Sequence, residues 1–305
     1  LFVPPLLEAR KLTKLYGATV ALYSADFQVG EGITGLLGPN GAGKSTAIKM
    51  MLGLIAPSNG DVRLMGHDLY QMHNRALEHV GALVERPSFY EYLSGRRNLQ
   101  LLARNFEQDF DRRSNELADR LGILNRLEDK VSTYSQGMRQ KLGIVLSLLP
   151  NSKLVVLDEP TNGLDPQGIR EVRQFISEFA GRGGVTVFLS SHLLSEVEQI
   201  CTSLAVIEMG KVLVNGPLNE LLKREPEVEL QVGALPRAVE IIKAFNGCSV
   251  SALSDDRLRV NLKSTSAADL NKRLVDSGIE VSELRPVKRT LEEYFLHLTG
   301  EESGS

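Results

Sequence analysis

Residues Gly38–Thr46 have the types and spacing of a loop that holds phosphate groups. The stretch GPNGAGKST matches the pattern G-x-x-x-x-G-K-[ST], follows the apolar run ITGLL and precedes the helix-like run AIKMMLGL. Lys44 can reach β- and γ-phosphates, Ser45 can bind Mg²⁺, and Thr46 can support the α-phosphate. An ordinary glycine-rich turn is the alternative, which the flanking strand and helix disfavour. The residues expected around the phosphates are Gly38, Pro39, Asn40, Gly41, Ala42, Gly43, Lys44, Ser45 and Thr46.

Two adjacent carboxylates end a second apolar run, LVVLDEP. Charged groups at the exit of a buried strand are costly unless they face a metal ion and its water. Asp158 is therefore a candidate Mg²⁺ ligand, directly or through water, and Glu159 is a candidate to orient or polarise an attacking water. Two solvated carboxylates are the alternative, which the phosphate loop in the same chain argues against.

His192 ends a third apolar run, VTVFLSSH. A lone histidine is commonly a packed or surface residue. This one is expected at the carboxyl edge of the sheet, with Lys44 and Asp158, where open α/β sheets bind ligands. We therefore predict that His192 contacts a γ-phosphate. The other histidines (His67, His73, His79 and His297) show no ligand pattern and are expected at the surface.

A second anion site is indicated at Tyr134–Met138, where YSQGM opens an apolar run of helical period. Ser135 suits a helix N-cap, Gly137 allows close approach, and the N–H groups of a first turn attract anions. Farther along, NGLDPQ predicts a turn and a helix start, with Asp165 as the cap and Pro166 in the first helical position. An ordinary helix start is enough to explain this last pattern on local grounds.

Length and composition indicate an ordinary globular protein of about two domains. The chain has 305 residues, of which 42% are hydrophobic and 24% charged. The net charge of −3 does not favour a nucleic acid partner. There is no apolar stretch of about 18 residues, so we expect the chain itself not to span a membrane. Two cysteines without metal-ligand spacing, Cys201 and Cys248, favour a reducing cytoplasmic setting.

The order of patterns predicts an α/β core domain over residues 1–222, with a buried and largely parallel sheet. A helical insertion is expected at about 93–150. Lys223–Pro226 is a candidate linker to a second, α+β domain at 227–305. That domain has the order β-α-β-β-α-β of ferredoxin-like folds, and its last helix is expected to begin with a capping box between Thr290 and Glu293.

Taken together, these motifs resemble, from about Leu7 to Leu221, those of the nucleotide-binding subunit of ABC transporters. The order of phosphate loop, middle loop, signature, LDEP strand, D-loop and switch histidine is that of the family. The resemblance implies a P-loop ABC-type ATPase core, with ATP and Mg²⁺ as cofactors. Tyr16, which alone would be an ordinary strand residue, stands where the family stacks an aromatic ring on adenine.

The same resemblance implies the partners and the reason for two anion sites. In this family two subunits, identical or related, dimerise head to tail, and the signature of one closes on the γ-phosphate held by the other. Ser135, Gln136 and Gly137 would thus serve the ATP of the partner, and Asp165 would couple the two sites. The dimer would power a separate transmembrane subunit at the cytoplasmic face of the cell membrane.

Two departures from the family pattern point toward export. Gln136 and Met138 replace the common Gly and Gln of the signature, which is similar to antibiotic-resistance and ABC-2-type export ATPases. Glu85 stands at the Q-loop glutamine, as in ATPases of bacitracin and lantibiotic self-protection, and TLEEYFLHLTG resembles the end of drug- and sodium-export ATPases. The cargo would be a drug, antibiotic, peptide, lipid or ion. Glu85 is expected to bind Mg²⁺ at most indirectly, and the alternative is a solvated loop residue.

Alternatives from other classes remain. A soluble ABC-type ATPase could act on ribosomes or DNA, although this chain has one cassette and no coiled-coil or zinc insertion. A nucleotide-gated regulator without turnover is disfavoured by Asp158, Glu159 and His192. The domain at 227–305 could stabilise a dimer or be a structural appendage.

Overall fold

The computed structural model describes residues 5–103, 109–150, 152–222, 227–245, 248–262, 265–287 and 290–299. The chain divides into two compact units, Leu1–Asn219 and Glu220–Ser305. The expected linker at Lys223–Pro226 lies outside the described residues.

The first unit combines two sheets with helices. Its strands are β1 (Leu7–Tyr16), β2 (Thr19–Val29), β3 (Ile33–Leu37), β4 (Asn59–Leu64), β5 (His67–Asp68), β6 (Val80–Leu83), β7 (Leu154–Asp158), β8 (Thr186–Ser191), β9 (Ser203–Glu208) and β10 (Lys211–Pro217). Its helices are α1 (Lys44–Met51), α2 (His73–Leu77), α3 (Gly95–Leu102), α4 (Phe110–Arg120), α5 (Gln136–Leu148), α6 (Pro166–Gly183) and α7 (Leu194–Ile200), and α8 (Leu218–Leu221) lies at the boundary.

The central sheet has the strand order β10-β9-β3-β8-β7-β6. Its strands from β9 to β6 run parallel, whereas β10 pairs antiparallel with β9. Every residue of β3, β7 and β8 is buried, as expected for strands covered on both faces. The prediction of a buried and largely parallel sheet is confirmed. The apolar run SLAVIEMGKVLVNG forms two strands, because the turn at Met209–Gly210 reverses the chain.

A second, antiparallel sheet with the order β2-β1-β4-β5 was not predicted from the sequence. Its strands are only partly buried, and β1 contains irregularities in its pairing with β2, so the alternation of apolar residues is broken. One face is nevertheless apolar. Leu7 and Phe27 from this sheet belong to the same core cluster as Ile48 of α1 and as Val156 and Phe188 of the central sheet.

The predicted helical insertion is confirmed between Ser94 and Leu149. Helices α3, α4 and α5 occupy it, together with short 3-10 turns at Leu124–Arg126 and Val131–Thr133. Ser94 caps α3 by accepting the N–H of Arg97. Helix α5 buries an apolar stripe that ties the insertion to the core, formed by Leu142, Ile144, Val145 and Leu148.

The second unit has the order β-α-β-β-α-β followed by a helix. Its elements are β11 (Glu227–Val232), α9 (Leu235–Lys243), β12 (Ser249–Ala252), β13 (Arg257–Asn261), α10 (Ala267–Asp276), β14 (Val281–Val287) and α11 (Leu291–Thr299). The antiparallel sheet has the order β12-β13-β11-β14, which is the order of the split βαβ arrangement. Thr290 and Glu293 form the expected capping box, with the Glu293 N–H 3.2 Å from the Thr290 hydroxyl.

Within the part of the chain that the structure describes, no helix combines the length and the apolar character that crossing a membrane requires.

Candidate functional site

The site forms where three parallel strands end side by side. In the sheet register Leu37 of β3 lies opposite Ser191 of β8, and Asp158 of β7 lies opposite Ser190. The segments that follow these strands therefore leave the sheet at the same edge, which is where open α/β sheets bind ligands.

The phosphate loop packs too closely for side chains at two of its glycines. A Cβ atom at Gly38 would lie 2.3 Å from the carbonyl oxygen of Ile207, and one at Gly43 would lie 2.6 Å from that of Ala21. Gly43 also has a φ of 106°, which favours glycine. The loop thus turns directly into α1, whose N-terminal N–H groups can face an anion.

Lys44 is buried at the centre of this loop, with a relative exposure of 6%. Its ammonium group donates to the carbonyl oxygens of Gly38 and Pro39 at 2.8 and 3.3 Å, and it lies 3.3 Å from a carboxylate oxygen of Glu159. The cation is therefore held at the mouth of the loop by neutral and negative oxygen atoms that phosphate oxygens can replace.

The two carboxylates at the end of β7, Asp158 and Glu159, have different environments. Asp158 is buried and accepts a hydrogen bond of 2.5 Å from the hydroxyl of Ser190. The same hydroxyl accepts the backbone N–H of Glu159 at 2.9 Å. Glu159 has a φ of 48°, a left-handed conformation that costs about 1–2 kcal/mol in a residue with a side chain. The surrounding contacts must hold it there.

The carboxylate of Glu159 lies between the predicted cation and the predicted histidine. Its second oxygen is 2.8 Å from Nδ1 of His192. Lys44, Asp158, Glu159 and His192 are thus brought together as the sequence predicted, although His192 contacts Glu159 here. A carboxylate that is oriented on both sides has a fixed direction, which is what activation of a water molecule requires.

A cavity of about 560 Å³ lies beside these groups and is within the usual size range for ligand sites. It is lined by Thr19, Val20, Ala21, Asn40, Gly41, Gly43, Lys44, Ser45, Thr46, Glu159, Asn162 and His192. Tyr16 pairs with Thr19 in the β1–β2 hairpin, so it lies next to the lining residues. Its ring is half exposed, and the ammonium of Lys14 is 5.1 Å from the ring centroid.

The signature segment begins α5 with an exposed N-terminus. The hydroxyl of Ser135 accepts the N–H of Met138 at 3.2 Å, which confirms the predicted cap. The first turn contains no acidic residue to neutralise its positive end. Gly137 packs near Leu164, since an added Cβ would be 3.0 Å from that side chain, and Gln136 packs against Gly163.

The turn NGLDPQ starts α6 as predicted. A carboxylate oxygen of Asp165 accepts the N–H of Gly168 at 2.9 Å, and Pro166 occupies the first turn. Because Gly163 and Leu164 belong to this turn, the signature helix and the D-loop of the same chain are in contact.

Glu85 has a partner that the sequence analysis missed. It lines a second cleft together with Ser45, Asp158 and Gln136, and its carboxylate pairs with the ammonium of Lys49 on α1. This hydrogen bond is the main cause of the raised pKa of Lys49. The sequence does place Lys49 on the helix face of Ser45, four residues earlier, but the contact with Glu85 depends on how α1 docks. The extra negative charge of Glu85 is therefore compensated within the chain.

A charge-balance experiment tests this pair. Lys49→Met should leave Glu85 uncompensated near the phosphates and weaken ATP binding without Mg²⁺ by about threefold to tenfold. The double variant Lys49→Met/Glu85→Gln should bind as the wild type does. Isothermal titration provides the measurement, and Lys141→Met, which breaks the distant pair with Glu171, is the matched control. If the double variant binds as weakly as Lys49→Met, Lys49 contacts the nucleotide itself.

Two further polar side chains at the site were also missed. Ser190 joins Asp158 to the backbone of Glu159, and Gln140 donates to two backbone carbonyls after β7. The serine could have been noticed as a polar residue inside an otherwise apolar run. Gln140 carries no comparable signal, because its role depends on how α5 docks.

Comparison with known proteins agrees with this geometry. The ABC transporter family matches residues 22–162. The chain is 36% identical over 298 residues to the bacitracin transport ATP-binding protein of Bacillus licheniformis, covering 97% of each chain. It is 33% identical over 301 residues to a daunorubicin resistance ATP-binding protein of Streptomyces coeruleorubidus, covering 95% of this chain and 94% of the relative.

Solved structures give the same result. An ATP-binding subunit of an ABC transporter superposes with a TM-score of 0.65 at 32% identity, over 71% of this chain and 91% of that one. A dimeric ATP-binding cassette in a post-hydrolysis state, bound to ADP and Pi, has the same fold, with a TM-score of 0.63 at 20% identity over 70% of this chain and 98% of that one. The phosphate loop, the paired carboxylates and these relatives together establish that the chain belongs to the ABC transporter family, as a nucleotide-binding ATPase subunit.

Proposed function

We propose that this subunit hydrolyses ATP with Glu159 as the residue that activates water. The observation that carries the proposal is the position of its carboxylate, 3.3 Å from the Lys44 ammonium and 2.8 Å from His192. Lys44 would move from its present oxygen partners to the β- and γ-phosphates. His192 would then contact the γ-phosphate while keeping Glu159 oriented.

We propose Mg²⁺ as the metal cofactor, bound by Ser45 and Asp158. Among the described residues no group of three or more His, Cys, Asp or Glu side chains could hold a metal ion without other ligands. Mg²⁺ in nucleotide sites commonly uses one or two protein ligands and completes its shell with phosphate oxygens and water. Glu85 would act at most through water, because Lys49 already binds its carboxylate.

We propose that two copies, or this chain and a related subunit, assemble head to tail around two ATP molecules. The exposed N-terminus of α5 supports this arrangement, since its Ser135 cap, its first-turn N–H groups and a first turn without an acidic residue suit a γ-phosphate. Gln136 and Gly137 would complete the contact with the γ-phosphate of the partner's ATP. Asp165 would couple the two ATP sites, because the turn that ends at this residue packs against Gln136 and Gly137.

We propose that the dimer powers a separate transmembrane subunit from the cytoplasmic face of the membrane. Tyr90 and Tyr92 follow Glu85 in the chain, are 49% and 69% exposed, and meet edge to face with ring centroids 6.0 Å apart. Exposed aromatic pairs of this kind suit a protein interface. Their exposure shows that they are not core residues.

We propose export as the direction of transport, with a drug or antibiotic as the cargo class. The support is that relatives covered over nearly their whole length are named for bacitracin transport and daunorubicin resistance. These names favour a transporter over the alternative of an ATPase that acts on ribosomes or DNA. Residues 227–305 would form an accessory domain, because β11–β14 and their helices enclose a core cluster of their own.

Co-purification tests the membrane partner. The tagged chain is expressed with the membrane protein encoded beside it, solubilised in mild detergent and captured. We expect that membrane protein to elute with the chain, and its presence to change the ATPase rate. Capture of ribosomes, with the membrane protein left in the flow-through, would contradict the proposal.

A further inference from the structure

Gln140 joins the signature helix to the backbone of Glu159. It is the fifth residue of α5, and its side chain is 6% exposed. Its amide nitrogen lies 3.2 Å from the carbonyl oxygen of Glu159 and 3.2 Å from that of Pro160. A buried amide donor that meets two successive carbonyls fixes the peptide unit between them.

The peptide after Glu159 needs such support. Glu159 is in the left-handed region, which persists only where surrounding contacts hold it. Pro160 has no N–H, so the peptide bond between the two residues cannot donate a hydrogen bond. At the backbone of Glu159, the Ser190 hydroxyl accepts the N–H, and the carbonyl accepts from both Gln140 and the N–H of Asn162, the latter at 3.1 Å.

These contacts come from different parts of the fold. Ser190 belongs to β8 of the central sheet, whereas Gln140 belongs to α5 of the helical insertion. The sheet therefore holds the N–H side of Glu159, whereas the carbonyl side is held by the helix that carries Ser135 together with the N–H of Asn162. The Gln140 side chain would transmit a small displacement of α5 to Glu159 and change the direction of its carboxylate.

We propose that Gln140 is a positioning residue that couples the signature helix to the orientation of Glu159 in the same subunit. Closure of α5 on the ATP of a partner would then set Glu159 for hydrolysis in its own site. This inference rests on the proposed roles of Glu159 and of the head-to-tail dimer.

Kinetics of single variants give the first test. Gln140→Glu is nearly isosteric but presents an acceptor to two carbonyls, and Gln140→Leu removes the donor without adding charge. For both we expect kcat to fall by about a hundredfold, the cost of a small misplacement of a reacting group, and KM for ATP to change by less than about threefold. Ser147→Ala is the control, because this buried hydroxyl of α5 donates to the carbonyl of Ile144 in its own helix and, among the described residues, has no other bond.

These kinetic measurements can contradict the proposed role of Gln140 in two ways. A loss of ATP binding, or a kcat near that of Ser147→Ala in both Gln140 variants, overturns the proposal. The leucine variant guards against misfolding caused by a buried charge, and circular dichroism and thermal melts identify a folded protein.

Mixed dimers give the second test, because they separate action on the same subunit from action on the partner. A Lys44→Ala chain mixed with a Gln140→Leu chain should show no recovery above the low rate of Gln140→Leu alone, since the intact phosphate loop then lies beside a misplaced Glu159. Recovery equal to that of a Lys44→Ala and Gly137→Asp mixture would show that Gln140 only shapes the signature, and would overturn the proposal. If the mixture of Lys44→Ala and Gly137→Asp shows no ATPase activity, the proposed head-to-tail dimer is contradicted. The kinetics of the single variants then still decide the role of Gln140.

Discussion

Glu159→Gln should lower ATP turnover by about a hundredfold to ten-thousandfold, which is the range for removing a general base. The amide preserves the size of the side chain and can still accept a hydrogen bond from His192, so ATP binding should persist. It cannot take a proton from water. The variant should therefore accumulate as an ATP-bound dimer, visible by size-exclusion chromatography as a species that wild-type protein loses on hydrolysis.

Glu198→Gln is the matched control for this result, because Glu198 is an exposed carboxylate on the nearby helix α7. It should hydrolyse ATP at the wild-type rate. A Glu159→Gln protein that turns over ATP within a few-fold of this control would show that another group activates the water.

Activity should reappear when two inactive variants are mixed. Lys44→Ala removes a cation from the phosphates and should weaken ATP binding by about tenfold to a hundredfold. Gly137→Asp places a carboxylate where the partner's γ-phosphate would bind, and its Cβ has room if the flexible Leu164 side chain moves slightly. In a head-to-tail heterodimer both changes fall on one site, and the other site is intact.

The expected recovery can be estimated from symmetry. Random pairing gives heterodimers in half of the mixture, each with one working site of two, so the rate should be about a quarter of the wild-type rate. Two different affinity tags verify the heterodimer. Silence in the verified species would contradict a composite site that works alone. A mixture of two different Lys44 variants is the negative control and should show no recovery of ATPase activity.

Much of the site could be predicted from the sequence because its residues stand in short contiguous patterns. The phosphate loop needs glycines at fixed spacing, and each of Asp158, Glu159 and His192 follows an apolar run long enough to mark a buried strand. Parallel strands end at a common edge, so the sequence is enough to place these groups together. The caps at Ser135 and Asp165 are local for the same reason.

The tertiary structure decided the contacts that join distant segments. Ser190 and Asp158 are 32 residues apart, Lys49 and Glu85 are 36 apart, and Gln140 and Glu159 are 19 apart. The first depends on strand register and the other two on how α1 and α5 dock, and no local periodicity encodes either. The antiparallel sheet of β1, β2, β4 and β5 was not predicted for a related reason. Its strands are half exposed and irregular, and which of their residues face the core is decided only when the core packs against them. The sequence alone located the groups that we propose for the chemistry. Packing across the chain determined which groups hold them in place, because orientation is set by neighbours that only folding brings within hydrogen-bond distance.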